Sequence, residues 1–223
     1  MFLHKLTCLP LRLAAPPPVK AVVRLAGRRP RILDIGCGYG SPRKWKHYIP
    51  ECEYFGLDRT REFLLKDDFQ MMERFYLANL DTDTLREVPN GYFDAVVLSH
   101  VIEHVWRGES CLKRLAAKLR PGGVMYVEYP GVRSLQVPHG GPGMNLNFHD
   151  DASHIRIYSL VAISNVLLRA GCSIVHAGIR RDWVRLLLTP FLAARGFLQH
   201  GNMLSGRLWD FFGTAEVVIA RRR

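Results

Sequence analysis

The stretch Arg31-Ile32-Leu33-Asp34-Ile35-Gly36-Cys37-Gly38-Tyr39-Gly40 decides the fold. A short apolar run of strand character feeds directly into three glycines at alternate positions. Glycine lacks the Cβ that would hold a ligand away, so a strand ending this way turns sharply and lies close against whatever sits above the turn. In an open α/β sheet that place is the carboxyl end of a strand beside the switch point, where ligands bind. The plainer reading of the same residues is a tight strand-to-helix turn.

Outward from this loop, short runs rich in Val, Ile, Tyr and Phe alternate with amphipathic stretches. Strands are expected at 31–35, 53–57, 75–78, 93–98, 124–128, 172–178 and 215–220. Helices are expected at 19–25, 42–48, 61–67, 110–119 and 160–170, with Leu112, Leu115, Ala116 and Leu119 repeating at helical spacing before Pro121-Gly122-Gly123 stops the run. Alternation of this kind predicts a doubly wound, seven-stranded, mostly parallel sheet with helices on both faces. Residues 1–30 read as a basic leader and short helix, and 31–223 as one domain. Two stretches break the rhythm: a Gly/Pro/His-rich loop over 130–158, long enough to suggest function, and an apolar, Arg-bearing helical insertion at about 180–213.

The 223 residues are 48% hydrophobic and 23% charged, which describes a folded domain. Five scattered cysteines without a C-x-x-C pair argue against a disulfide framework and for a reducing, cytoplasmic setting. The net charge of +11 sits at the ends: +7 over residues 1–31 and +6 over 169–223, around a centre at −2. Such ends suit an anionic membrane surface or an anionic substrate, or simply water. Peripheral contact with the inner face of a membrane is therefore an expectation, and no apolar run reaches the ~18 residues of a spanning helix.

The second element of chemistry is Asp58, closing Tyr54-Phe55-Gly56-Leu57-Asp58 at the end of the second expected strand. A carboxylate there can accept both hydroxyls of a ribose, or cap the following helix. To this point a nicotinamide dinucleotide and an oxidoreductase remain open. The loop reads G-x-G-x-G and not G-x-G-x-x-G. Farther on come Phe93-Asp94-Ala95-Val96-Val97-Leu98-Ser99-His100-Val101-Ile102-Glu103-His104 and Leu119-Arg120-Pro121-Gly122-Gly123.

Together and in this order, these motifs resemble the class I methyltransferases that use S-adenosylmethionine (SAM), in particular the type 11 group, over about residues 31–178. The resemblance implies a Rossmann-like methyltransferase fold and SAM as cofactor. It implies that Gly36, Cys37, Gly38 and Gly40 cradle the methionine part, that Asp34 supports its ammonium through the loop, and that Asp58 takes the ribose. Asn79 stands where the family often places an acid near the adenine amino group, Leu80 would pack on the adenine, and Ser99 and His100 would line the far side of the methyl group. A SAM-binding module without catalysis is the other reading of these residues.

Methyl transfer needs an acceptor held in line and often a base for its proton. His100-Val101-Ile102-Glu103-His104 spells H-x-x-E-H, but at a strand end and not on a long helix. Mixed His/Glu ligands could hold a divalent ion here, but capping and packing are favoured, and no metal is assigned. The stretch Asn147–Arg156 resembles a loop of bacterial methyltransferases of surface-polysaccharide biosynthesis, with His154, Arg156 and Tyr158 matching an H-x-R-x-Y ending. His154 is the preferred general base, with His149 and His100 the other candidates, since imidazole titrates near neutrality. The resulting expectation is methyl transfer to a small-molecule or glycan acceptor, at a hydroxyl of a sugar or lipid-linked glycan. No nucleic-acid partner is expected, because no base-flipping motif follows the fourth strand.

Overall fold

The computed structural model describes residues 15–27, 29–139, 146–184, 186–187 and 205–223. Seven strands form one sheet in the order β3-β2-β1-β4-β5-β7-β6. They are β1 (Arg31–Ile35), β2 (Glu53–Asp58), β3 (Arg74–Leu77), β4 (Phe93–Ser99), β5 (Leu119–Pro130), β6 (Cys172–Ile179) and β7 (Ala215–Arg222). The pairs among β1 to β5 are parallel, while β7 lies antiparallel between β5 and β6. The expected doubly wound, mostly parallel architecture is the one observed.

Helices α1 (Pro17–Leu25) and α2 (Ser41–Tyr48) cover one face, and α4 (Gly108–Ala116) and α5 (Leu160–Arg169) the other. The strands explain why two faces are needed. In β1, Ile32 belongs to the core of the first face and Leu33 to that of the second; in β4, Ala95 and Val97 alternate in the same way with Val96 and Leu98. Strands apolar on both sides are stable only when both sides are covered. Leu112 and Leu115 of α4 are fully buried, so truncating either to Ala should cost about 2–5 kcal/mol.

Some boundaries differ from the sequence pattern. The helix expected at 61–67 is instead a turn followed by α3 (Lys66–Gln70). The Asp58 carboxylate accepts from the Thr60 N–H at 3.2 Å, and the Asp68 carboxylate accepts from the Leu65 N–H at 2.9 Å. These local bonds hold 59–65 out of the helix and start it late. Asp58 thus caps a turn and not a helix. β5 starts before Pro121-Gly122-Gly123 and not after it: Leu119 pairs with Phe93, and the register slips before Val124 meets Ala95. α6 (Ser205–Phe212) lies within the expected insertion. Residues 1–14 of the expected leader, 140–145 of the expected loop and 188–204 of the expected insertion lie outside the described residues. No helix among the described residues is long and apolar enough to cross a membrane.

Candidate functional site

The glycine loop leaves β1 with backbone N–H groups of Gly36 and Cys37 on the Leu57 carbonyl of β2. Each glycine answers a different demand. Gly36 has φ +71°, and a Cβ there would lie 2.6 Å from Val101 Cγ2. Gly38 has no positive φ; its demand is space, since a Cβ would meet Phe63 Cβ at 3.0 Å and Asp58 Oδ2 at 3.6 Å. Gly40 has φ +76° and precedes α2. Tyr39 between them is itself left-handed at φ 52°, exposed, and stacked on Phe63 with ring centroids 4.4 Å apart.

Asp34 lies buried beneath this loop. Its Oδ2 accepts from Trp45 Nε1 at 3.0 Å and from the Tyr54 hydroxyl at 2.7 Å. Burial raises its pKa, and these donors partly offset that. Asp34 therefore acts on a ligand through the shape of the loop. Cys37 turns its side chain into the core, where a Cβ on Gly56 would lie 2.6 Å from its Sγ; only its backbone is left for a ligand. Burial pushes its thiol far above the ordinary range, which removes it as a nucleophile.

Asp58 is half-buried at the carboxyl end of β2, with Oδ2 beside Gly38. Asn79, after β3, is exposed, and its Oδ1 accepts from the Asp81 N–H at 2.9 Å; Asp81 in turn accepts from the Arg107 N–H at 2.8 Å, tying this loop to the start of α4. Leu80 is buried in the core cluster under the same edge. Ser99 ends β4, half-buried. These residues fit an adenosylated, zwitterionic cofactor: a cradle that Cβ atoms would fill, and a carboxylate next to it at ribose position.

A second pocket opens at the carboxyl ends of β4 and β5. His100, His104, Asp151, His154, Trp209 and Thr214 are among its lining residues. Val101, which follows His100, packs against Gly36 of the glycine loop. His100 is left-handed at φ 56° and its N–H donates to the Glu128 carbonyl at 2.9 Å. Its ring spans two buried carboxylates: Nε2 lies 3.1 Å from Glu128 Oε1 and Nδ1 lies 3.3 Å from Glu103 Oε1. Burial works against its charge, but the two carboxylates win and raise its pKa to about 9. At neutral pH His100 keeps its proton and offers no lone pair, so it is not a base for an acceptor.

Glu128 is the hub. Arg180 Nη1 donates to its Oε1 at 2.7 Å, Tyr126 to its Oε2, and Arg180 Nε donates to the buried Asp210 of α6 at 3.0 Å. Burial opposes its ionisation, yet Arg180 and His100 hold it well below the usual carboxylate range. The network docks α6, whose Trp209 ring lies 4.2 Å from that of His100. Arg180, Glu128 and Asp210 were not singled out in the sequence; their only signal there is charge inside apolar runs.

Across the pocket, Ile155 and Arg156 N–H groups donate to the Glu103 carbonyl at 3.0 and 3.3 Å. This brings His154 beside His104, with ring centroids 4.8 Å apart. His154 Nδ1 lies 2.7 Å from the Phe148 carbonyl, which only accepts, so the Nδ1 carries hydrogen and the neutral ring leaves Nε2 unprotonated. That Nε2 lies 3.8 Å from Asp151 Oδ2 and 4.0 Å from Glu103 Oε1. His149 is exposed and outside the pocket lining; its N–H donates to the Asn147 side chain in the turn at 148–150. Position thus separates the three candidate histidines.

A Rossmann-like sheet of this strand order, with a glycine cradle and a ribose-level carboxylate, defines the class I methyltransferase fold. The chain belongs to the family described as methyltransferase domain, whose model matches residues 8–177, and the cofactor that serves this class is SAM. Among solved structures, a SAM-dependent methyltransferase from Mesorhizobium loti superposes at TM-score 0.65 with 19% identity over 92% of this chain and 96% of that one. One from Archaeoglobus fulgidus gives 0.57 with 20% identity over 92% and 93%. By sequence, human thiol S-methyltransferase TMT1A is 31% identical over 43% of this chain and 40% of its own length. Trans-aconitate 2-methyltransferase of Deinococcus radiodurans is 28% identical over 51% and 43%. The matches span about two fifths of each of these curated relatives.

Proposed function

We propose that this chain transfers the methyl group of SAM to a hydroxyl of a small-molecule or glycan acceptor, and that a sugar or lipid-linked glycan of surface-polysaccharide biosynthesis is the acceptor class. The observation that carries the reading is His154: it lines the pocket at the carboxyl ends of β4 and β5 with Nδ1 against the Phe148 carbonyl, which in the neutral ring leaves Nε2 as the acceptor. Gly36, Gly38 and Gly40 hold the cofactor's methionine end, Asp58 its ribose, and the edge at Asn79 and Leu80 its adenine. When bound, SAM supplies an electrophilic sulfonium methyl. His154 Nε2 takes the acceptor's proton as the oxygen becomes nucleophilic, and Asp151 stabilises the resulting imidazolium. Protonated His100, fixed between Glu103 and Glu128, supports the floor of the pocket, and Trp209 covers it.

The acceptor class rests on the resemblance of 147–156 to the polysaccharide-linked loop. The curated relatives are named for a thiol and for a carboxylate acceptor. The test is a labelled-methyl transfer assay with purified chain and SAM against lipid-linked glycans, free sugars, small thiols, tricarboxylates and RNA. Label on the glycan arm alone supports the reading; label on thiol or tricarboxylate alone replaces the acceptor and keeps the cofactor.

A further inference from the structure

Glu103, His104 and His154 each offer one ligand atom, and these lie within 4.8 Å of one another. Three observations make the cluster more than a coincidence of polar groups. The first concerns Glu103, which is 1% exposed. It faces His100 at 3.3 Å, but neither carboxylate oxygen accepts a well-formed hydrogen bond. Protonated His100 balances part of its charge, and the oxygens not engaged in a well-formed bond leave this buried carboxylate with capacity for a second cation.

The second concerns the imidazoles. His104 Nδ1 lies 3.1 Å from the Ser153 carbonyl and 3.0 Å from the Ser153 hydroxyl, whose own hydrogen goes to Asp151, as His154 Nδ1 lies 2.7 Å from the Phe148 carbonyl. Carbonyls only accept, so both Nδ1 atoms carry hydrogen and both Nε2 atoms keep lone pairs. A histidine oriented by a backbone carbonyl at one nitrogen, with the other free, has the arrangement of a metal ligand and its outer support.

The third is architectural. His104 and His154 come from separate loops and are clamped together by the Ile155 and Arg156 bonds to the Glu103 carbonyl. Asp151, 3.8 Å from His154 Nε2, adds a further carboxylate at the rim, itself oriented by Ser153. The set is therefore assembled by the fold, and no single stretch of sequence displays it.

We infer that Glu103, His104 and His154 bind one divalent first-row transition ion at the wall of the acceptor pocket. Two imidazoles and one carboxylate favour Zn²⁺, Co²⁺ or Fe²⁺ over Mg²⁺ and Ca²⁺, which take oxygen donors. Three protein ligands leave positions open toward the pocket, where an acceptor oxygen enters. The inference rests on methyl transfer at this pocket for the acceptor, and it changes the part played by His154: with the ion present, its Nε2 is a ligand and not the proton acceptor.

The probe is Co²⁺ itself, added to untagged, chelator-stripped full chain and followed by visible absorption and calorimetry. One equivalent should bind with the ligand-field bands of a low-coordinate site. His104→Ala, a half-exposed change that spares the core, and His154→Ala should each weaken binding by at least about tenfold. His47→Ala, on the exposed side of α2, should bind as the wild type does. Absence of stoichiometric binding, or equal binding by the His104 and His154 variants, overturns the site. Methyl transfer at full rate by protein that takes up no Co²⁺ overturns it while leaving the proposed reaction intact. Stoichiometric binding without methyl transfer to any acceptor upholds the site and overturns the reaction.

Discussion

The backbone N–H of Ile155 donates to the carbonyl oxygen of Glu103 at 3.0 Å. This bond joins the long loop after β5 to the turn after β4, and it places His154 where the sheet ends. With His154 as the base, His154→Ala should lower kcat by about 10²–10⁴ with SAM affinity unchanged. His149→Ala should retain activity close to wild type. Steady-state rates with the accepted substrate decide this; a normal rate for His154→Ala removes the base from the reaction.

Gly38→Val should abolish SAM binding in a chain that still folds, with a lowered melting temperature because the new side chain also crowds Phe63. The reason is space and not backbone strain, since a Cβ at Gly38 already lies 3.0 Å from Phe63 and close to Asp58. Calorimetric titration with SAM is the check, and undiminished affinity excludes the loop from the cofactor site.

Asp58→Ala should weaken SAM by about 1–3 kcal/mol, the scale of a charged hydrogen bond lost. It also removes the acceptor for the Thr60 N–H, so a melting curve must accompany the titration. A change in stability with no change in affinity returns Asp58 to the turn alone.

Asp94 supplies an acid-sensitive link at the opposite end of the sheet. Burial would raise its pKa, but the Arg31 N–H and the side chains of Arg120 and Arg31 lower it. A carboxylate with a depressed folded-state pKa contributes stability above its unfolded value, and that contribution is lost as pH falls toward the folded value. Stability should therefore fall below about pH 4, and Asp94→Asn should be less stable at pH 7 with a flatter acid limb. Urea unfolding from pH 3 to pH 7 tests both; parallel curves for the two proteins would exclude the link.

Trp183, Leu187 and Phe211, within the Arg-bearing insertion, are 66%, 78% and 57% exposed. With basic ends, such residues suit the headgroup layer of an anionic membrane. Sedimentation should show binding to vesicles containing anionic lipid, lost at high salt, and none to neutral vesicles. No sedimentation with either leaves these residues as surface of another kind.

The sheet was legible because β1, β2 and β4 are apolar runs that end at chemistry: Gly36 after β1, Asp58 closing β2, Ser99 closing β4. The start of α3 was not, because the Asp58–Thr60 and Asp68–Leu65 bonds compete locally with helix formation over residues that otherwise read as helical. The residues proposed to hold the cofactor lie on contiguous motifs. Those of the second pocket do not. Glu128 meets His100 across 28 residues and Arg180 across 52, so their partnership exists only once β4, β5 and β6 are assembled. Burial and charge of His100 follow from those partners and separate it from His154, two residues that look alike in sequence.

The placement of β7 bears on how the molecule is made. β6 touches the rest of the sheet only through β7, and Thr214 and Ala215 at the start of β7 line the second pocket. On the ribosome, β1 to β5 can pair as they emerge, but β6 must wait with an open edge until a strand synthesised some forty residues later, on the order of seconds at cellular elongation rates, slides between it and β5. The part of the sheet that carries the glycine loop can therefore form before the β7 wall of the second pocket exists, and the nascent chain spends that interval with an open sheet edge.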